Sequence, residues 1–395
     1  MHLIKNAASL LLFLFLTTYC EASAHAQKTV CLNMIVKNES NVIQRCLTSV
    51  LPIINYWVIV DTGSTDGTQK VITELMNKNQ IPGELHERPW VNFAHNRNEA
   101  LKLAHGKSDY ICFIDADEYL AYESNFKLPE LDKDFYYITI VQGLVKYKRI
   151  GMIKDQPEWE WKGVLHETLC PKTSYTYDTL AKVVKSPTVG GARDRDPKKY
   201  EKDVQVLETA LKDEPNNSRY VFYLANSHRD AGNHAEALKN YLRRATMGGW
   251  DEELYSTLLQ IAIMQEKLNR PTREVTEAYL RAFSFRPSRA EPLFYLANYY
   301  RKAKEFEKGF QVSKVAMTIP IPNEILFVEY WAYNYGIPLE YSICAYWTER
   351  YEECIKTSTD ILQKNDIPEN VRETVQRNLG FAREKIIEKI NQSTH

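Results

Sequence analysis

Three acidic side chains directly follow a short apolar run in the first half of the chain. Residues 110–114 are continuously apolar, and Asp115, Asp117 and Glu118 come next. In an open parallel sheet, ligands bind outside the carboxyl ends of the strands, so acids at that position face a crevice. Two carboxylates one residue apart can point into one site, where a divalent cation would offset their repulsion and neutralise a diphosphate. A lone Asp-x-Asp is more often a surface turn or a helix cap, and its position after a strand is what favours a binding site.

A second loop with functional side chains is Asp-Thr-Gly-Ser-Thr-Asp-Gly at residues 61–67, which also follows an apolar run. Its glycines permit a tight turn and close approach to a ligand, and Asp61 at the strand end can accept hydrogen bonds from a nucleobase or ribose. The same loop is equally compatible with a plain turn in which Asp66 caps the next helix. The chain contains neither GxGxxG nor GxxxxGK[ST], which argues against a dinucleotide-binding fold and a phosphate-loop NTPase.

The elements that must position these side chains alternate between apolar runs and helical patterns along residues 28–184. The runs are continuously apolar, as in strands buried on both faces, and the alternation predicts an α/β domain with a mostly parallel sheet. The predicted strands cover residues 29–36, 57–60 and 110–114, with a further strand-rich stretch at 135–148. The predicted helices cover residues 41–51, 68–76 and 96–104. Residues 185–199, which contain Pro, Gly and charged side chains, predict a linker.

An internal repeat follows the predicted linker. The sequence Phe-Tyr-Leu-Ala-Asn occurs at residues 222–226 and again at 294–298, a separation of 72 residues, or twice 36. A period near 34 is typical of tetratricopeptide repeats, which pair helices around small residues. Weaker copies lie around residues 258–262 and 345–353, and residues 372–390 predict a capping helix. The second half of the chain is therefore predicted to be an all-α, TPR-like repeat domain.

Charge and cysteine content exclude several classes of protein. The 395 residues, enough for two or three domains, include 50 Lys and Arg against 51 Asp and Glu, a formal charge of -1. Without surplus positive charge, the chain is not expected to bind nucleic acid in general. The seven cysteines form no CxxC pair, which predicts free and mostly buried thiols.

The amino terminus has the pattern of a signal peptide. Lys5 precedes an apolar run over residues 7–16, and small residues follow at Ala22, Ala24 and Ala26. A run of this length cannot span a hydrocarbon layer of about 30 Å, so no stable membrane span is expected. We therefore expect export or entry into the secretory pathway; anchoring by an uncleaved signal and a wrongly assigned start are the alternatives. The predicted organisation is a signal peptide at 1–26, an α/β domain at 27–192 and a repeat domain at 193–395.

Four motifs in order carry a family resemblance. They are Met-Ile-Val-Lys-Asn-Glu at 34–39, Val-Asp-Thr-Gly-Ser-Thr-Asp-Gly-Thr at 60–68, Asn-Phe-Ala-His-Asn-Arg-Asn at 92–98 and Phe-Ile-Asp-Ala-Asp-Glu at 113–118. Together they resemble the family-2 glycosyltransferases of GT-A fold, in the subgroup with a tetratricopeptide tail. The resemblance implies a Rossmann-like catalytic domain and an inverting transferase that uses a nucleotide-diphosphate sugar with Mn²⁺ or Mg²⁺.

The resemblance also implies roles for individual residues. The implied positions are Asp61 near the nucleobase, Glu39 beside the donor, Arg97 near the phosphates, Asp115 on the ribose or sugar side, and Asp117 on the metal. A uridine diphosphate sugar is the favoured donor. Many relatives have a second acid where this chain has Thr62, so the nucleobase stays open.

A tryptophan-rich stretch at residues 159–167 ends in His166 and Glu167. Without a family, a single His followed by Glu is more often structural; with the resemblance, His166 is expected to be a third metal ligand or a phosphate contact. An inverting transfer needs a carboxylate that takes the acceptor proton. Glu167 and Asp155 are the candidates, and Glu118 is less favoured because it could brace the metal-binding acids.

Three functions remain to be compared. The first is an active transferase whose repeats hold a protein, peptide or glycan acceptor. The second is a non-catalytic repeat protein with a relic GT-A domain, which the intact motif acids disfavour. The third, a nucleotidyltransferase, is disfavoured because residues 36–39 lack the glycine expected after the first strand. The sequence indicates no oligomeric state.

Overall fold

The computed structural model describes residues 27–170 and 175–393. The predicted signal peptide lies outside the described residues. The described strands are β1 (Val30–Val36), β2 (Tyr56–Asp61), β3 (Gly83–Glu87), β4 (Tyr110–Phe113), β5 (Glu118–Tyr122), β6 (Phe135–Gln142), β7 (Val145–Lys154), β8 (Glu160–Lys162), β9 (Thr168–Cys170) and β10 (Tyr177–Pro187).

Eight of these strands form one sheet in the order β3-β2-β1-β4-β7-β6-β10-β5, and β8 pairs with β9 separately. The pairs β2–β3, β1–β2, β1–β4 and β6–β10 are parallel. The pairs β4–β7, β6–β7 and β5–β10 are antiparallel. The α/β prediction is confirmed, with a sheet that is parallel through its first four strands.

The parallel register brings the two predicted functional loops to one edge. Val36 of β1 is opposite Asp61 of β2, and Asn33 of β1 is opposite Phe113 of β4. The loops that follow β2 and β4 therefore leave the sheet at the same side, where crevices form in α/β folds.

Helices cover both faces of this part of the sheet, which explains why its strands are apolar throughout. They are α1 (Ile43–Val50), α2 (Thr68–Lys78) and α3 (Phe93–Ala104). Helices α1 and α2 pack on one face, whereas Leu101 and Ala104 of α3 pack with Trp159 and Trp161 on the other.

Helix α3 begins earlier than the sequence pattern predicted. Asn92 caps it by accepting a hydrogen bond from the His95 backbone N–H at 2.8 Å. Asn96, the predicted start, is fully buried within the helix and bonds the backbone of Val91 and Pro89.

The second half of the described chain consists of consecutive helices. They are α4 (Lys199–Asp213), α5 (Ser218–Asp230), α6 (His234–Arg244), α7 (Asp251–Lys267), α8 (Thr272–Phe285), α9 (Glu291–Lys302), α10 (Phe306–Ala316), α11 (Ile337–Trp347), α12 (Tyr351–Leu362) and α13 (Glu369–Ser393), with a π-helical turn at Ala332–Gly336. Within the first clear repeat, Ala225, Ala237 and Tyr241 are fully buried, and the Tyr241 hydroxyl donates to Asn226. The repeat prediction is confirmed, and α13 contains the predicted capping helix.

The prediction that a linker begins at residue 185 is wrong for residues 185–187. Residues 185–187 are the end of β10, and the Lys185 side chain is only 1% exposed. The cause is the ion pair of Lys185 with Glu118 inside the sheet. The polar, Pro-containing sequence around residue 185 gives no sign of this pair.

The six cysteines within the described residues are free; five are buried and Cys170 is partly buried. None of the helices described is long and apolar enough to cross a membrane.

Candidate active site

Asp115, the first residue of the acidic motif outside the strand, is held by two arginines. Arg97 of α3 donates from Nη2 to Asp115 Oδ1 at 2.5 Å, and Arg149 of β7 donates to Oδ2 at 3.1 Å. Burial alone would raise the pKa of Asp115, but these guanidinium groups hold it well below its usual range. Asp115 is therefore a fixed negative charge.

Arg97 connects this acid to the predicted base. Its Nε donates to Glu167 Oε1 at 2.5 Å, and its guanidinium carbon lies 5.0 Å from the Trp161 ring centre. Only 8% of Arg97 is exposed. The structure thus brings Arg97, Asp115 and Glu167, all predicted from sequence, into one cluster.

Two further cations belong to the cluster and were missed by sequence reasoning. Arg149 donates to Glu118 at 2.9 Å, and the Lys185 ammonium lies 3.2 Å from the same carboxylate and donates to the Phe113 carbonyl at 3.0 Å. Glu118 also accepts the Asp115 backbone N–H at 2.9 Å. Glu118 thus braces the acidic loop, as the sequence analysis allowed.

Asp117 has the opposite environment. Its carboxylate accepts no hydrogen bond from any side chain of the described residues, and burial, with Asp115 and Glu118 nearby, raises its pKa to about 6. The backbone of Gly191 lies so close that an added Cβ would come within 2.7 Å of Asp117 Oδ2. A half-buried carboxylate among like charges fits a cation, so Asp117 is the acid of this motif best suited to a divalent metal.

Asp61 and Glu39 lie in the neighbouring loops. Asp61 is fully buried; its Oδ1 accepts from Gly63 N at 2.8 Å and Ser64 N at 2.7 Å, and its Oδ2 has no partner within the described chain. Buried carboxylate oxygens are rarely left without a donor, so this atom fits an N–H or O–H of a nucleobase or ribose. Glu39 accepts from Ala192 N at 3.1 Å, and burial raises its pKa to about 7.

His166 lies where the two halves of the chain meet. Its ring stacks on Tyr223 of α5 with centroids 4.0 Å apart, and its carbonyl accepts from Arg219 at 2.9 Å. His166 is exposed to solvent, yet the dense protein around its ring and the charges of Arg193 and Arg219 lower its pKa to about 3. The imidazole is therefore neutral, as a metal ligand must be.

Asp155, the second candidate base, is not part of this cluster, which corrects the prediction. Its carboxylate bonds His105 at 2.5 Å and Gly106 N at 2.6 Å, and its N–H donates to the Asp109 carbonyl. Asp109 precedes β4, whereas Asp115 follows it, so about 20 Å of extended chain separates the two ends. Asp155 lies at the amino end of the strands because β7 runs antiparallel to β4.

The described residues contain no group of three or more His, Cys, Asp or Glu side chains arranged around one metal position. Asp117 and His166 share no hydrogen bond or ion pair in this part of the chain. Any cation held by Asp117 would therefore take its other ligands from His166 after a movement, from the donor phosphates or from water.

Comparison with protein families agrees with this geometry. Residues 31–162 match the model of glycosyl transferase family 2. This stretch ends one residue after Trp161 and contains Asp61, Arg97, Asp115 and Asp117. Residues 31–162 are thus similar to a family-2 glycosyltransferase domain, and a helical repeat region follows.

Two curated proteins have similar sequences. A TPR repeat-containing protein from Synechococcus elongatus is 32% identical over 154 residues, which are 37% of this chain and 36% of that protein. The SPbeta prophage-derived glycosyltransferase SunS from Bacillus subtilis is 32% identical over 114 residues, 28% of this chain and 25% of that protein. The chain thus aligns with about a third of the length of the first protein and a quarter of the length of the second.

Among solved structures, MamA aligns with a TM-score of 0.35 at 12% identity, covering 43% of this chain and 87% of MamA. A tetratricopeptide repeat protein from Parabacteroides merdae aligns with a TM-score of 0.37 at 15% identity, covering 49% of this chain and 70% of that protein.

Proposed function

We propose that this chain is an inverting, metal-dependent glycosyltransferase that moves a sugar from a nucleotide diphosphate to an acceptor held partly by the repeats. The observation that carries the proposal is the contrast within the acidic motif of a family-2 domain. Asp115 is neutralised by two arginines, whereas Asp117 has no cationic partner among the residues that the structure describes. This arrangement suits a donor diphosphate that arrives with a divalent cation.

Each group has a proposed task in donor binding. Asp61 Oδ2 accepts a hydrogen bond from the nucleobase or ribose. Arg97 and Arg149 offset the charge that develops on the diphosphate, and Asp117, with His166, would hold Mn²⁺ or Mg²⁺. When bound, this cation supplies positive charge to the leaving group. A uridine diphosphate sugar is the favoured donor class.

Glu167 is the proposed general base. It lies beside Arg97 and next to His166 in the chain, and the distant position of Asp155 supports the choice of Glu167. Inversion requires a base on the acceptor side, across from the diphosphate. The acceptor, a protein, peptide or glycan, would thus approach between Glu167 and the repeats. Residues 1–26 support export or secretory entry, which amino-terminal sequencing of the secreted protein would check.

The test is a thermal-shift panel of nucleotide-diphosphate sugars, with and without Mn²⁺, on the full chain. We expect at least one donor to raise the melting temperature only with the metal, and Asp117→Ala to lose this shift. Asp360→Ala, on the exposed face of α12, is the control that should keep it. No shift with any donor would instead favour a binding protein with a relic transferase domain.

A further inference from the structure

One segment of the repeat domain is built onto the catalytic sheet. This segment, residues 323–330 and called the strap below, follows α10 and precedes the π-helical turn. Lys146 and Val328 exchange backbone hydrogen bonds of 3.0 and 2.9 Å, and Lys148 N donates to the Ile325 carbonyl at 2.8 Å. Strand β4 pairs only with the far end of β7, at residues 152–154. The strap therefore continues the pairing along the part of β7 that β4 leaves open.

Side chains reinforce this backbone pairing. The rings of Tyr147 and Phe327 lie 5.5 Å apart, and the Lys146 ammonium lies 4.2 Å from the Tyr330 ring centre. On the neighbouring residue, Lys148 Nζ donates to Asn323 at 2.9 Å. Three consecutive residues of β7 thus contact the strap, in addition to the hydrogen bonds of the main chain.

Buried charges hold the strap from the repeat side. Glu252 accepts the backbone N–H groups of Ile325 at 2.8 Å and Leu326 at 2.6 Å. Arg289, 1% exposed, donates to the carbonyls of Leu326 at 3.2 Å and Phe327 at 2.8 Å. Burying such charges is costly unless all their bonds are made, so this network favours one backbone conformation of the strap.

The contacted part of β7 leads directly into the active site. Tyr147 and Arg149 are two residues apart, so they share a face of the strand. Arg149 is the residue that bonds both Asp115 and Glu118. A shift of β7 at residues 146–148 would therefore move the Arg149 guanidinium relative to the acidic motif.

We propose that the strap is a positioning element of the catalytic centre: by docking on β7 it sets Arg149 against Asp115, and Phe327, which packs on both the repeat core and Tyr147, connects the two. The repeat domain then supports donor turnover itself, in addition to any role in acceptor binding. This inference rests on the proposed transferase function. It predicts that damage to the strap lowers a reaction in which no acceptor takes part.

The experiment is a double-mutant cycle between Phe327→Ala and Arg149→Ala in the full chain, with donor hydrolysis measured without acceptor. Phe327→Ala should lower kcat for hydrolysis about tenfold, because small misplacement of a charged group can cost up to about a hundredfold. In the Arg149→Ala background, the same change should have less than about a twofold further effect. Phe327→Tyr keeps an aromatic ring and should retain most of the hydrolytic activity. Phe306→Ala, which removes a ring stacked on Trp347, is the control and should hydrolyse donor at a rate near that of wild type.

The positioning role would be overturned if the two substitutions lowered kcat for hydrolysis independently, so that their losses multiplied. It would also be overturned if Phe327→Ala hydrolysed donor normally and only its transfer to acceptor were impaired. If Phe327→Ala fails to fold, Tyr330→Ala takes its place in the same cycle, since it removes the ring that Lys146 contacts. A wild-type chain that hydrolyses no donor would contradict the proposed function and this inference together. If the wild type hydrolyses a donor but the losses in the double-mutant cycle multiply, only the positioning role of the strap is contradicted.

Discussion

Asp115 and Asp117 are two residues apart, yet their surroundings push their pKa values in opposite directions. Arg97 and Arg149 lower the pKa of Asp115, whereas burial and neighbouring acids raise that of Asp117 to about 6. Pairs of acids separated in this way commonly have separate tasks. Here Asp115 orients the arginines, and Asp117 is available for a cation.

This contrast predicts opposite effects on stability at pH 8 without metal. Asp115→Asn should lower the free energy of unfolding by about 3 kcal/mol, because it removes the carboxylate that the buried Arg97 shares with the partly exposed Arg149. Asp117→Asn should leave the stability unchanged or raise it, because the amide removes repulsion. Chemical denaturation of both variants measures this directly. A loss for Asp117→Asn as large as that for Asp115→Asn would mean that Asp117 has an unrecognised cationic partner.

His166 combines a packing contact with a proposed metal or phosphate contact. His166→Ala should cost about 1 kcal/mol of stability through the lost stacking on Tyr223, and should lower Mn²⁺-dependent turnover considerably more. Tyr223→Leu is the matched variant, since it removes the same stacking and keeps the imidazole. Equal turnover losses in the two variants, measured at saturating donor, would show that His166 acts through packing only.

Residue types explain which site members could be predicted. Asp61, Asp115 and Asp117 lie in ordered motifs after apolar runs, so their shared edge follows from the parallel register, whereas Arg97 was predicted from a motif that lies in helix α3. Arg149 could not be selected, because it stands among several basic residues of β7 and only the fold shows which one turns inward. Strand alternation offers a weak signal, since Tyr147 and Arg149 share a face.

At the scale of elements, buried parallel strands were predictable because their apolar runs are continuous. The residues at which helices and strands begin and end were not predictable. Helix α3 begins at Phe93 because Asn92 caps it, and β10 extends to Pro187 because Lys185 pairs with Glu118 inside the sheet. The first boundary depends on a local cap, Asn92, that the apolar pattern does not reveal, and the second depends on a partner far away in sequence. The contacts of the strap, between residues roughly 180 apart, have no local signal at all.

The strap also predicts a pH dependence of stability. Burial and Glu291 raise the pKa of Glu329 to about 7, so the folded state binds this proton more tightly than the unfolded state does. Between pH 4.5 and about 7, the free energy of unfolding should therefore fall as the pH rises. Glu329→Gln, which resembles the protonated acid, should remove this part of the dependence. The test is the melting temperature of wild type and variant across this pH range. Parallel curves would contradict the conclusion that Glu329 causes this pH dependence.

At the scale of the whole molecule, the helical repeats contact the sheet domain beside the candidate active site. His166 contacts α5, and β7 contacts the strap, on the side where Glu167 and Arg149 lie. The sequence showed two kinds of pattern joined in one chain, but it did not show that they contact each other beside the candidate site.

The most direct test of the account is release of nucleoside diphosphate from a donor panel by the full chain, with Mn²⁺ and without acceptor. We predict slow, metal-dependent release from one class of donor, and a fall of at least tenfold in Asp117→Asn, because a carboxylate that binds the cation contributes several kcal/mol to the transition state. Asp360→Asn should release at the wild-type rate. Equal release by wild type and Asp117→Asn, or release unaffected by removing the metal, would contradict the central claim that Asp117 holds a catalytic cation.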